Sequence, residues 1–358
     1  MSDSLKRYRA IKDGLKQLYP GEPQGNRLQH LNVLAALISG IVGSHSTQLP
    51  KIAAALPGPA KAESRVKACS RWVNAEERDH ETYFLPFVEL LLAHLAQTQL
   101  VLVMDVTDIG RHCVTLMVSV VYHGRALPIL WVVYRGSKGH LPTSTHVAFL
   151  EAVQALLPVG SAVVFLGDGE FDGPELLATV EQFGWHYVCR TAKNAMLSAD
   201  DESLTFAESH VQPGQCLGWP DMRFTHHGYG PVHAIAWWRS GCQAPIYLVT
   251  NLELMDEACY WYGKRFRIET FFSDQKSRGF HLHKSHLSDP MRLSRLMIAS
   301  CLAYIWIVYL GVIAKLDGWD KIIHRTDRCD LSLFQLGLRL LQHFMHADLG
   351  PPVAFQVW

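Results

Sequence analysis

The chain carries no net charge, because 33 lysines and arginines balance 33 aspartates and glutamates. It therefore lacks the global basic excess that many nucleic-acid-binding domains show. Paired cysteines are missing as well. The eight cysteines, at 69, 113, 189, 216, 242, 259, 301 and 329, include no C-x2-C pair. That argues against a structural zinc site and against a secreted disulfide framework, and reduced thiols are expected. The opening MSDSLKRYRAIKDGLKQ is polar and basic, so no signal peptide is expected. GDGEFDG at 167–173 does not fit G-x-G-x-x-G, and no acidic residue sits suitably on a following strand, which disfavours a dinucleotide site. No G-x-S-x-G elbow or Ser-His-Asp order supports a hydrolase. One long uncharged run exists, LMIASCLAYIWIVYLGVIA at 296–314, nineteen residues and long enough to cross a bilayer. With Ser300, Tyr304, Tyr309 and Gly311 inside it and no second such run, it reads as a buried helix covering a sheet.

What is present is a chain of 358 residues, 49% hydrophobic and 18% charged, which is globular and long enough for two or three domains. Residues 1 to about 95 carry helical patterns, with breaks at Gly43, at the PGP of 57–59 and near Asp79–Glu81. Arg65, Lys67, Arg71 and Trp72 lie on one of these helices and suit either a DNA-end-binding module or an ordinary bundle. From Gln99 the texture changes. LVLVMDVT (100–107) is an apolar strand ending near Asp105, and 112–122 with 125–134 form a hairpin around His123–Gly124. A helix over 144–157, a strand over 161–171 ending at Asp168, a helix over 172–183 and a strand over 185–191 follow.

Three strands, helix, strand, helix, strand is the order of the ribonuclease-H-like fold. There the first and fourth strands are neighbours, so Asp105 and Asp168 are expected to meet at their ends, where ligand sites of open α/β sheets gather. Residues 194–244, punctuated by Gly and Pro, suggest a β-rich insertion. PIYLVTN (245–251) returns to strand, and one helix is expected from about 254 to 279.

That helix holds YGKRFRIETFFSDQK (262–276). At about 100° per residue, with Tyr262 at zero, Arg265, Glu269 and Lys276 fall at roughly 300°, 340° and 320°. Four chemically active side chains thus share one face, while Trp261, Ile268, Phe271 and Phe272 form a separate apolar stripe. A carboxylate flanked by Arg and Lys suits phosphodiester chemistry: the acid holds a divalent cation and the basic groups hold the phosphate. The region 262–295 also concentrates eight basic residues against three acidic ones, a local net of +5.

The spacing Y-x2-R-x3-E-x6-K resembles the signature of the insertion-sequence-4 family of bacterial DDE transposases, and the S-R-V-K-x-x-x-R-W pattern from Ser64 is similar to the corresponding part of that family. The resemblance implies an α/β protein with a ribonuclease-H-like catalytic core, a β-rich insertion and an all-helical N-terminal region. Its expected organisation is a DNA-binding region at 1–97, core at 98–193, insertion at 194–244, second core part at 245–320 with the catalytic glutamate, and a helical tail at 321–358. Asp105, Asp168 and Glu269 would be the catalytic, metal-holding carboxylates for two Mg²⁺ ions, with Mn²⁺ substituting. Tyr262, Arg265 and Lys276 would hold DNA near the scissile bond, and Arg190, Lys193 and Asn194 would meet backbone phosphates.

The resemblance further implies cut-and-paste transposition at terminal inverted repeats by a bacterial, cytoplasmic, nucleoid-associated enzyme, acting on double-stranded DNA as at least a dimer. Where such a reaction closes a hairpin, a base is flipped and stacked on an aromatic ring, for which Trp237 and Trp238 are candidates. The alternatives are a nuclease of the same fold without strand joining, and a non-catalytic DNA-binding protein derived from a transposase. HLHKSH (281–286) has no fourth zinc ligand nearby and reads as a DNA-facing or solvent-facing histidine cluster.

Overall fold

The computed structural model describes residues 1–137, 139, 141–199 and 202–355. Positions 200 and 201 of the expected insertion and the last three residues of the expected tail lie outside the described residues.

The first ninety-five residues are helical, as their patterns predict. They form α1 (Asp3–Leu18), α2 (Gly25–Ser44), α3 (Leu49–Ala54), α4 (Ala62–Asn74), α5 (His80–Tyr83) and α6 (Leu85–Leu95). Local chemistry marks their limits. Pro50 and Pro86 open α3 and α6, where a missing N–H costs nothing. The Asp79 side chain accepts from the Thr82 N–H to cap α5. Trp72 is buried against Tyr83, and Arg65 donates to the Leu56 and Ala60 carbonyls that close the α3–α4 loop. Those two residues therefore hold the helical region together, and of the four singled out on α4 only Lys67 and Arg71 face solvent.

A mixed sheet follows: β1 (Leu100–Gly110), β2 (Cys113–Tyr122), β3 (Arg125–Arg135), then α7 (Thr143–Leu156), β4 (Val163–Gly167), α8 (Pro174–Gln182) and β5 (His186–Thr191). The tight β2–β3 turn works because His123 and Gly124 both adopt positive φ, at 40° and 78°. β1 runs antiparallel to β2 and parallel to β4, and β4 runs parallel to β5. The first and fourth strands are thus neighbours. β4 is buried along its whole length, as a parallel strand covered on both faces should be.

The chain then adds β6 (Met196–Ala199), β7 (Glu202–Thr205), β8 (Cys216–Phe224), β9 (Tyr229–Trp237) and β10 (Ile246–Thr250). Among the described residues these join the same ten-stranded sheet, in the order β3-β2-β1-β4-β5-β10-β9-β8-β6-β7. The segment 194–244 is therefore strand-rich as expected, and its strands extend the central sheet through β9, which pairs with β10.

The single helix expected over 254–279 is two helices. These are α9 (Met255–Tyr262) and α10 (Arg267–Gln275), separated by a tight turn at 263–266. Gly263 caps α9, and glycine in a helix interior costs about 1 kcal/mol relative to alanine. Through the turn the amides of Lys264, Arg265, Arg267 and Ile268 bond three residues back, to Trp261, Tyr262, Lys264 and Arg265. This tighter winding breaks the 100° progression, so the four active residues do not form one continuous helical face.

The uncharged run lies within α11 (Pro290–Leu316), and 94% of its most apolar window is buried inside the fold. It packs on β3, α2 and α4, and α12 (Asp320–Ile323) and α13 (Leu333–His346) complete the chain, with α13 lying along α11. α10 covers β1, β2 and β3, while α9 covers β4 and β5.

Candidate active site

Asp105 lies on central β1 and is 6% exposed. Its Oδ1 accepts a hydrogen bond of 2.7 Å from the Val106 N–H. Asp168 is the first residue after β4, and its Oδ1 accepts from the Glu170 N–H at 3.0 Å. The β1–β4 register pairs Val103 with Leu166. Two residues further, the same offset puts Asp105 beside Asp168, on strands about 4.8 Å apart. The β4–β5 register, Gly167 with Cys189, extends this row to Arg190. Asp105, Asp168 and Arg190 thus fall at one level across the strand ends, just past the last paired residues.

Helices α9 and α10 lie over these strands and bring the remaining groups. Arg265, in the turn between them, is 7% exposed at its side chain. Its Nη1 lies 3.5 Å from Asp105 Oδ2, and its Nη2 donates to Glu269 Oε1 at 2.5 Å. Burial works against the guanidinium charge, but the combined attraction of Tyr262, Asp105, Glu269 and Asp168 outweighs it and raises the pKa above the ordinary value. Arg265 Nε and Nη1 are buried without a hydrogen bond of ordinary geometry, Nη1 being held by the Asp105 ion pair alone. Glu269 is the accessible carboxylate, with a side chain 52% exposed.

Tyr262 ends α9 and is almost fully buried. Burial pushes its phenol up to about 12, against the pull of Arg265 and Arg190, and its helix packs on β4 and β5. Lys276 follows α10, and its Nζ donates to Thr107 Oγ1 at 2.6 Å, two residues beyond Asp105 on the same face of β1. Tyr262, Arg265, Glu269 and Lys276 are therefore spread over the row of strand-end aspartates although the helix is interrupted.

The other expected residues are more peripheral. Lys193 and Asn194 are exposed in the turn after β5. Trp237 closes β9 opposite Ile246, at the sheet edge that holds Asp168 and Arg190, but β5 and β10 intervene. Arg239 stacks over its ring at 5.4 Å from the centroid, and Trp238 Nε1 donates to the Cys242 carbonyl. Thr107 was not singled out from sequence. Its signal was position, since i and i+2 on a strand share a face. His146 and Glu170 were also missed. Glu170 Oε1 accepts from the Leu141 N–H and lies 3.5 Å from buried His146 Nε2, which anchors the loop after Asp168.

As donors, the three carboxylates suit a hard cation such as Mg²⁺. Asp105 and Asp168 lie at neighbouring strand ends, two residues past the last β1–β4 pair, whereas the Arg265 guanidinium lies between Asp105 and Glu269. Among the described residues, no three His, Cys, Asp or Glu side chains are already gathered at metal-holding distance.

The model of the family described as "Transposase DDE domain" matches residues 97–306, more than half of the chain. The chain belongs to the transposase DDE domain family. The matched stretch starts just before β1, ends within α11 and contains Asp105, Asp168 and Glu269. A solved structure of a piggyBac transposase synaptic complex with hairpin DNA aligns with 96% of this chain and 79% of that one, at 12% identity and a TM-score of 0.47. No curated protein matches the chain.

Proposed function

We propose that this protein is a Mg²⁺-dependent cut-and-paste DNA transposase of the insertion-sequence-4 type. It would cleave at terminal inverted repeats and join the freed 3′-OH ends to target DNA. The observation that carries this reading is the row of Asp105 and Asp168 on adjacent parallel strands, overlain by an arginine that reaches both Asp105 and Glu269. The strand order β3-β2-β1-β4-β5, with β2 antiparallel, supports a ribonuclease-H-like core interrupted by β6–β9.

In this reading Asp105, Asp168 and Glu269 hold the metal ions. Bound there, they would supply Lewis-acid activation and neutralise the charge that develops on the phosphate. The chain's own part is positioning. Arg265 would offer its guanidinium to the phosphate, Lys276 is held over the strand end by Thr107, and buried Tyr262 would back the site at the end of α9. Glu269 is exposed enough to swing away from Arg265 toward the aspartates. Arg190, Lys193 and Asn194 would follow the DNA backbone past β5, and Trp237 and Trp238 would receive a flipped base if a hairpin forms. Two copies would act on paired ends in the bacterial nucleoid.

The test is cleavage of labelled DNA carrying the ends that flank the gene, with Mg²⁺ or EDTA, for the wild type and Glu269→Ala. Nicking that needs Mg²⁺ and is lost in the variant, followed by joining to a target plasmid, is expected. Nicking without joining would leave a nuclease, and binding without cleavage by the wild type would leave a DNA-binding protein.

A further inference from the structure

The segment 281–286, HLHKSH, leaves the catalytic helix and does not belong to the carboxylate row. It folds into a short 3₁₀ turn at Leu282–Lys284, with His281 and His286 in left-handed backbone at φ 55° and 63°. Facing it is the end of α2, where His45 is also left-handed at φ 49°. Left-handed conformations are uncommon for residues other than glycine and cluster at functional sites.

The two turns are stitched together. The Thr47 N–H donates to the Phe280 carbonyl at 2.9 Å, Thr47 Oγ1 donates to the His281 carbonyl at 3.2 Å, and Gln48 Nε2 lies 3.2 Å from His286 Nε2. The result is a fixed surface joining the N-terminal helices to the catalytic sheet. His45, Lys51, His283, Lys284 and His286 are exposed on it, and the half-buried His281 keeps Nδ1 without a partner.

Lys51 and Lys284 are the charged side chains exposed between the two turns, with Asp3 and Arg7 beside His45 at the end of α2. Burial lowers the His45, His281 and His283 pKa values, and every charged neighbour that adds to the shift is basic. These are Arg7 and His281 for His45, Lys284 and Lys51 for His281, and Lys284, His281 and Lys276 for His283. Lys276 is the link, since it also donates to Thr107 in the site. Basic groups therefore run from the site over His283, Lys284 and His281 to Lys51 and His45, in a chain whose overall charge is zero. Lys51 and Lys284 present positive charge on this rigid surface and the exposed His45, His283 and His286 rings add polar hydrogen-bonding edges, a combination that suits a polyanion.

We propose that this His–Lys ridge is a second contact surface for the phosphate backbone of duplex DNA, guiding the duplex from the cleavage site onto the N-terminal helices. The inference rests on the transposase reading above and adds the path of the bound duplex. The contacts are to phosphate, so they act on any sequence and weaken with salt.

The experiment uses the full chain and a short fluorescent duplex of arbitrary sequence, with anisotropy titrations at several salt concentrations. The variants are Lys51→Gln/Lys284→Gln, the charge-retaining Lys51→Arg/Lys284→Arg, and a control of equal charge change, Lys16→Gln/Lys321→Gln, at exposed positions away from the ridge. The ridge variant is expected to bind about tenfold or more weakly near 0.1 M salt, with its log Kd against log salt slope reduced by roughly two. The arginine variant and the control should stay near wild type. Ridge and control variants that bind alike would overturn the ridge while leaving the transposase reading intact. A wild type that binds no DNA would overturn both.

Discussion

The guanidinium of Arg265 stands 3.5 Å from Asp105 on β1 and 2.5 Å from Glu269 on α10, so one side chain ties the sheet to the helix above it. Asp105 is buried, whereas Glu269 is half exposed, and the two contacts differ in weight accordingly. Removing one partner of a buried pair strands the other charge and costs about 3–5 kcal/mol, while an exposed pair contributes roughly 0–1 kcal/mol. Arg265→Ala should therefore lower the urea unfolding free energy by a few kcal/mol, and adding Asp105→Asn should restore part of it. Glu269→Gln should leave stability near wild type. Equal losses for Arg265→Ala and Glu269→Gln would rule out this division.

Lys276 reaches Thr107 Oγ1 at 2.6 Å, which fixes the ammonium beside the aspartate row. A preorganised cation near developing phosphate charge contributes roughly 100-fold or more to the rate. Lys276→Met should reduce strand cleavage by about that factor in single-turnover assays. Thr107→Val removes only the hydrogen bond, so it should cost about 1 kcal/mol of stability and slow cleavage less than Lys276→Met does. A Thr107→Val enzyme slower than Lys276→Met would contradict the positioning role.

Asp274 is buried in α10 and pairs with Arg125 at the start of β3 at 2.8 Å. Burial pushes its pKa up from 3.8 to about 6, against the pull of Arg125 and Arg278. The folded state then holds this proton to higher pH than the unfolded chain does. The stabilisation is full below about 4, fades as pH rises through about 6, and is absent above that. Thermal unfolding should show this downward step between pH 4 and pH 6.5 in the wild type, superimposed on other groups, and Asp274→Asn should lack it. A wild-type minus variant difference that stays flat over that range would refute the assignment.

α11 and α13 touch backbone to backbone at two glycines. A β-carbon on Gly337 would overlap the Ile307 carbonyl, and one on Gly311 would overlap the Leu333 carbonyl. Backbone cannot yield as a side-chain tip can, so Gly337→Ala should cost about 3 kcal/mol and open the contact between the two helices. Calorimetry of Gly337→Ala would check this, and a melting temperature within a degree of wild type would contradict it.

Much of this arrangement was legible in the residues. The hairpin at His123–Gly124, the buried strands ending near Asp105 and Asp168, and the uncharged run of α11 follow from local apolar pattern and turn chemistry. Other features were not. The interruption at 263–266 was hidden because a glycine within an otherwise helical pattern is often tolerated. Here the three-residue hydrogen bonding goes with an Arg265 side chain buried against β1. The place of β6–β9 in the central sheet depends on β9 pairing with β10, a choice between edges that no local pattern encodes. Trp72 and Arg65 suited a DNA-end-binding module or an ordinary bundle alike, and the structure uses both within the bundle, against Tyr83 and the α3–α4 loop.

The sequence by itself determined which segments are helix and strand and which acidic and basic residues could serve a phosphodiester site, because periodicity and side-chain chemistry act over a few residues. The strand order let the sequence anticipate that Asp105 and Asp168, sixty-three positions apart, end neighbouring strands, but tertiary structure alone decided that Arg265 sits between Asp105 and Glu269. It also decided that the histidines of 281–286 meet the end of α2. Those relations depend on strand register and burial, which are set by packing between distant parts of the chain.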